Sequence, residues 1–188
     1  MRRAAGWLLV ALVAARAAAG TPSEPPGDSL YRLSVPLVDQ AGRAAALDLH
    51  RGRPTIVSLF YASCPNVCPL LVAAIQRIDA ALADAERART RVLLVSLDPQ
   101  RDTPAALEQT AARLGVDRSR WTLARAAETD VRRLAAALGV QYRKLPDGEF
   151  NHSTVLALLD RDGRIVARSS VLGRLDEEFV ERLRHEAR

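Results

Sequence analysis

An α/β fold with a mixed central sheet is predicted by three observations. Two short runs, Thr55 to Tyr61 and Val92 to Leu97, are apolar without clean alternation, the pattern of strands covered on both faces. Between and after them, apolar residues recur every three or four positions, as in amphipathic helices. The chain then closes in a strand, turn, strand and helix from Ser153 to Arg188. Strands alternating with helices and ending in a hairpin place parallel and antiparallel neighbours in one sheet. At 188 residues and 48% hydrophobic content, the chain fits one such domain.

The elements follow in order. Residues 1–20 read as a signal peptide, with Arg2 and Arg3 before an apolar stretch from Ala4 to Ala15 and the small residues Ala17, Ala18 and Ala19 at a cleavage site. Arg16 ends the apolar run after about a dozen residues, short of the roughly 20 that a spanning helix needs. A periplasmic protein beginning near Gly20 or Thr21 is expected; an uncleaved leader holding it at the inner membrane is the alternative. Residues 21–30, with Pro22, Pro25, Pro26 and Gly27, have the composition of a flexible linker, and residues 31–188 are assigned to the folded domain.

Leu33 to Val38 and Ala44 to Leu49, joined by the turn Asp39 to Gly42, predict an N-terminal hairpin. Pro54 opens the central strand, and Leu70 to Ala88 carries Leu71, Ala74, Ile75, Ile78 and Leu82 at helical spacing. After the second buried strand, Asp98 to Thr103 is a polar loop with Thr103 as N-cap and Pro104 at the first helical position. Trp121 to Ala124 is a short strand, and Thr129 to Leu138 is a helix stopped by Gly139. Asp147-Gly148 marks a turn. Ser153 to Leu159 and Arg164 to Ser170 form a hairpin, and Asp176 to Arg188 a final helix. The sum predicts a thioredoxin-like fold extended by an N-terminal β-hairpin.

The formal charge is +5, and removal of Arg2, Arg3 and Arg16 leaves 24 basic against 22 acidic residues. Basic residues are interspersed with acids along the helices, and Lys144 is the only lysine. This is a solvated surface, not a nucleic-acid stripe.

The chain has two cysteines, Cys64 and Cys68, where the central strand meets the first helix. Outside the cytosol such a pair would ordinarily be a structural disulfide, but three intervening residues close too small a loop to restrict the unfolded chain much. One helical turn brings both sulfurs to one face, and a helix N-terminus favours thiolates. A redox pair or a soft-metal site remains. Of the three histidines, His185 lies among charges on the last helix and His50 in the loop before the central strand. His152, between the Asp147-Gly148 turn and the next strand, is the candidate third ligand. Two thiolates and an imidazole suit copper, Cu(I) or Cu(II), whereas structural zinc closes with four ligands.

The segments Phe60-Tyr61-Ala62-Ser63-Cys64-Pro65-Asn66-Val67-Cys68-Pro69 and Ser96 to Pro104, then His152 before a strand ending in Asp160-Arg161-Asp162-Gly163, resemble the Sco/SenC family of cytochrome oxidase assembly proteins, from about Leu33 to the C-terminus. The resemblance implies a copper chaperone with Cys64, Cys68 and His152 as ligands. Its expected partners are cytochrome c oxidase subunit II, whose binuclear copper site it would help to build, or another exported copper protein, and a thiol-reducing partner. The alternative is a thiol-disulfide oxidoreductase with Cys64 and Cys68 as redox pair, acting on that subunit's cysteines. Two positions that are often acidic in the family hold Asn66 and Asn151 here, removing negative charge that would favour a cation. Asp98, Arg101 and Asp102 match a family loop, and Asp-Pro and Asp-Thr-Pro are also ordinary turn and helix-start elements.

Overall fold

The computed structural model describes residues 24–64 and 67–188. The expected leader, the first three linker residues, and Pro65 and Asn66 of the cysteine motif lie outside the described residues. Among those described, no helix is long and apolar enough to cross a membrane.

Seven strands form one mixed sheet: β1 (Pro36–Asp39), β2 (Ala44–Ala46), β3 (Thr55–Phe60), β4 (Arg91–Ser96), β5 (Trp121–Arg125), β8 (Leu156–Leu159) and β9 (Ile165–Ser169), in the order β2-β1-β5-β4-β3-β8-β9. β3, β4 and β5 run parallel, while β8 and β9 join antiparallel on one side and the β1–β2 hairpin on the other. All six residues of β3 and all four of β8 are buried. Successive side chains point to opposite faces, so a strand buried throughout is covered on both. This is the predicted thioredoxin-like core with its hairpin extension.

The helices are α1 (Val67–Ala81), α2 (Asp84–Arg89), α3 (Pro104–Arg113), α4 (Glu128–Leu138) and α5 (Glu177–Glu186). Thr103 Oγ1 caps α3 by accepting from the Ala106 amide at 3.2 Å, and Gly139 ends α4 in the left-handed region at φ 76°. The single helix expected from Leu70 to Ala88 is two. Ala83 turns extended (φ −63°, ψ 155°), and its amide donates to Glu86 Oε2 at 3.0 Å, starting α2 afresh.

Two further differences bear on function. Leu33, expected to open the first strand, instead ends a 3-10 turn, Leu30–Leu33, and Ser29, buried ahead of it, donates from Oγ to the Asp162 carbonyl at 2.6 Å. The segment before the last hairpin is not a plain loop. Tyr142–Lys144 (β6) and Phe150–His152 (β7) pair antiparallel in a two-stranded ribbon separate from the main sheet.

Candidate metal and thiol site

The site lies at the C-terminal ends of β3 and β4, where three segments converge. The first is the cysteine loop. β3 ends at Phe60, and the chain bends through Tyr61 to Ser63 before entering α1. Cys64 and Cys68 are thiols not joined in a disulfide, 6% and 3% exposed, and the Cys68 amide donates to Cys64 Sγ at 3.3 Å. A sulfur held by the first-turn amides of a helix sits where that helix best supports negative charge. Burial opposes it. The Cys68 thiol is pushed well above its ordinary value by loss of solvent, with the nearby Cys64 adding to the rise.

The second segment is the loop after β4. Asp98 and Asp102 are each 2% exposed. Asp102 Oδ2 accepts from the Ala62 amide at 3.0 Å and from Ser96 Oγ, tying this loop to the cysteine loop. Burial raises the Asp102 carboxyl above the usual carboxylate range. Asp98 holds the Arg101 guanidinium, whose Nη2 donates to the Gly148 carbonyl at 2.6 Å. A Cβ on Gly148 would meet that guanidinium at 3.5 Å, and its φ of +86° independently favours glycine. The residues read as turn elements therefore clamp both flanks of the site.

The third segment is the ribbon, which carries His152 as the last residue of β7. His152 Nδ1 lies 3.1 Å from the Ser153 carbonyl. A carbonyl oxygen only accepts, so Nδ1 carries the proton and Nε2 presents its lone pair. That Nε2 is shut from solvent and has no hydrogen-bond partner among the described residues. Leaving a buried acceptor unsatisfied costs about 1–3 kcal/mol, the signature of a group kept for something else. Asn151, on the same strand, is exposed opposite Arg143.

Cys64, Cys68 and His152 thus face one end of the sheet, but they are not assembled. Among the described residues, no three His, Cys, Asp or Glu side chains are grouped closely enough to hold a metal ion. Tyr61, which sequence reasoning passed over, adjoins both Cys64 and His152. Its ring meets His152 edge-on at 5.9 Å between centroids and Phe150 at 5.2 Å, and its hydroxyl donates to Glu149 Oε2 at 3.0 Å. Burial, then the adjacent Cys64 side chain, holds the Tyr61 hydroxyl far above its ordinary value. The only signal in the sequence was its place at the strand end, three residues before Cys64. Glu149, directly after the Asp147-Gly148 turn, gave none. Donor chemistry fits a soft ion: two sulfurs and a deprotonated imidazole nitrogen.

The SCO1/SenC family model matches residues 26–188. A candidate copper-binding protein of Stutzerimonas stutzeri is 28% identical over 133 residues, covering 69% of this chain and 64% of that relative. Among solved structures, Bradyrhizobium japonicum ScoI with copper bound is 27% identical with a TM-score of 0.69, over 81% of this chain and 97% of that one. A SCO1/SenC family lipoprotein from Bacillus anthracis superposes with a TM-score of 0.74 over 82% of this chain and 94% of that one; at 20% identity this speaks to the fold alone. With the family model spanning nearly the whole described chain, this protein belongs to the SCO1/SenC family.

Proposed function

We propose that this protein is an exported copper chaperone, that Cys64, Cys68 and His152 hold the ion as cargo, and that it assists assembly of the binuclear copper site of cytochrome c oxidase. Family membership and the copper-bound Bradyrhizobium relative support the metal and the setting. The observation that carries the ligand assignment is the orphaned, buried Nε2 of His152, whose ring packs on the tyrosine that also adjoins Cys64. A polar atom kept unsatisfied in a folded interior is paid for by function elsewhere.

The chemistry follows from the donors. Each thiol must give up its proton to ligate, so copper uptake releases protons and weakens as pH falls. Burial keeps Cys68 protonated while the site is empty, which protects it from oxidation and makes it a poor free nucleophile. A three-ligand set leaves a position through which an acceptor's ligand can bind before one of the donors leaves. His152, on a ribbon outside the main sheet, is the natural first donor to let go.

The test is Cu(I) titration of the reduced protein against a chromophoric chelator. One ion per chain is expected, with no binding by Cys64→Ser, Cys68→Ser and an affinity loss of about 10- to 100-fold for His152→Ala. Uptake no greater than that of the double cysteine variant would overturn the proposal. Oxidase assembly by His152→Ala that stays at the wild-type level without copper binding would move the function to thiol-disulfide exchange by Cys64 and Cys68.

A further inference from the structure

We infer that Tyr61 is a positioning residue that holds His152 apart from the cysteine pair and, through Glu149, latches the β6–β7 ribbon, so that loading requires the ribbon to unlatch and shift. The inference rests on the reading that Cys64, Cys68 and His152 share one ion. The Tyr61 side chain reaches two of that set and the ribbon: the Cys64 side chain lies beside its hydroxyl, the His152 ring lies against its edge, and Glu149, in the turn between β6 and β7, accepts its hydrogen bond. Among the described residues the three donors are not grouped, and Tyr61 adjoins Cys64 through its hydroxyl and His152 through its ring.

The ribbon is built to move as a unit. β6 and β7 pair only with each other, so their displacement breaks no ladder bond of the seven-stranded sheet. Tyr142 and Phe150 pack together at 6.2 Å between centroids, and Lys144 Nζ stands 5.6 Å over the Phe150 ring, which gives the ribbon cohesion of its own. Its polar ties to the site among the described residues include Tyr61 to Glu149 and to the Phe150 backbone, and Arg101 to Gly148 and Glu149, the last at 3.9 Å. Beside it lies a cavity of about 290 Å³, half of whose lining is charged (Asp98, Glu128, Arg132, Arg143 and Lys144), room into which the ribbon can shift. The bend after β3, ahead of the cysteines, is by contrast held by the Ala62 amide to Asp102 and by the Ala62 carbonyl to Arg113 at 2.9 Å. The histidine ribbon is the part we assign the movement to.

Tyr61→Phe removes the hydroxyl and keeps the ring; Glu149→Gln weakens the same bond from the solvent side. Amide hydrogen exchange of the reduced, metal-free protein comes first. Losing one hydrogen bond of ordinary net worth should speed exchange of residues 142–152 about three- to tenfold in either variant, with the sheet strands unchanged. Copper uptake from a Cu(I)–chelator donor, followed by stopped flow, should accelerate by a similar factor in Tyr61→Phe, and the acceleration should vanish when His152→Ala is the background. Unchanged exchange in both variants would overturn the latch. Equal acceleration with and without His152 would overturn the positioning role, because Tyr61 would then be acting on the thiols. Wild-type protein that takes up no copper would sink the ligand reading, while the exchange data would still decide the latch.

Discussion

Two histidines sit at opposite ends of the parallel strands and live by different rules. His50 precedes β3, and its Nε2 shares a hydrogen bond with Thr122 Oγ1 at 3.2 Å. Around it most polar groups are matched, the buried Tyr31 hydroxyl near Asp48 and Arg51 being the exception: buried Gln40 completes the β5 edge by accepting from the Leu123 amide at 3.0 Å, and Arg120 bridges Asp79 and Asp117. At the other end, His152 Nε2 is buried with no partner among the described residues, two thiols stand without a disulfide, and a tyrosine hydroxyl serves a movable ribbon. Satisfied polar groups fasten elements together. Unsatisfied ones cost stability, and at the His152 end the unsatisfied atom belongs to a proposed metal ligand. If this division holds, stability and metal binding should separate cleanly between the two ends.

The largest effect should come from Arg120→Ala. Arg120 is 12% and Asp79 13% exposed, and the guanidinium joins the last turns of α1 to the start of β5. Removing one partner strands the other's charge away from water, which should cost about 3 kcal/mol in urea unfolding. The double variant Asp79→Ala, Arg120→Ala should lose less than the sum of the singles. Copper binding measured below the unfolding midpoint should be unchanged; a parallel loss of affinity would join the two ends that the comparison separates.

A smaller effect is tied to pH. Burial, with Arg91 and Arg53 nearby, pushes His50 from its ordinary value of 6.5 down to about 4. Above pH 6.5 both folded and unfolded chains leave it neutral. As pH falls through 6.5 the unfolded chain takes a proton that the folded one refuses, so stability is lost progressively down to about 4 and no further below it. After allowance for the ring's partial contact with solvent, the loss is on the order of 2 kcal/mol. Asp102 works in the other direction, because burial raises its carboxyl and favours the folded state as acid protonates it. His50→Gln keeps a partner for Thr122 and isolates the histidine: its stability should fall less than wild type between pH 6.5 and 4. Parallel curves would mean that His50 titrates as freely as an exposed histidine.

The same contrast explains what the sequence could reveal. β3, β4 and β8 were legible because burial on both faces demands unbroken apolar runs, and α3 and α4 because Thr103 and Gly139 mark their ends. The break at Leu82 and Ala83 was hidden, since Ala81 to Ala88 is rich in helix formers and only the Glu86 contact with the Ala83 amide starts α2 anew. The ribbon was hidden for a different reason. Its strands are three residues long and carry no alternation, and tertiary packing of Tyr142 on Phe150 makes them. The cysteine pair announced itself by spacing, and His152 by its place before a strand. Tyr61, Glu149 and the orphaned Nε2 depend on contacts across 88 and more residues of sequence, which local pattern does not encode.

The smallest stability change, and the sharpest discriminator, is His152→Ala. Truncating a half-buried aromatic side chain normally destabilises a fold. Here the edge-on contact with Tyr61 is worth about 0.5–1.5 kcal/mol, and the Nδ1 bond to the Ser153 carbonyl joins neighbouring residues and fastens no distant segment. Against these stands the relief of burying Nε2 without a partner, about 1–3 kcal/mol. The opposing contributions should leave the metal-free variant within about 1 kcal/mol of wild type in urea unfolding, while its copper affinity falls by an order of magnitude or more. A loss above about 2 kcal/mol would show that His152 fastens the ribbon as His50 fastens its loop, and the difference between the two ends would then be one of partners and not of purpose.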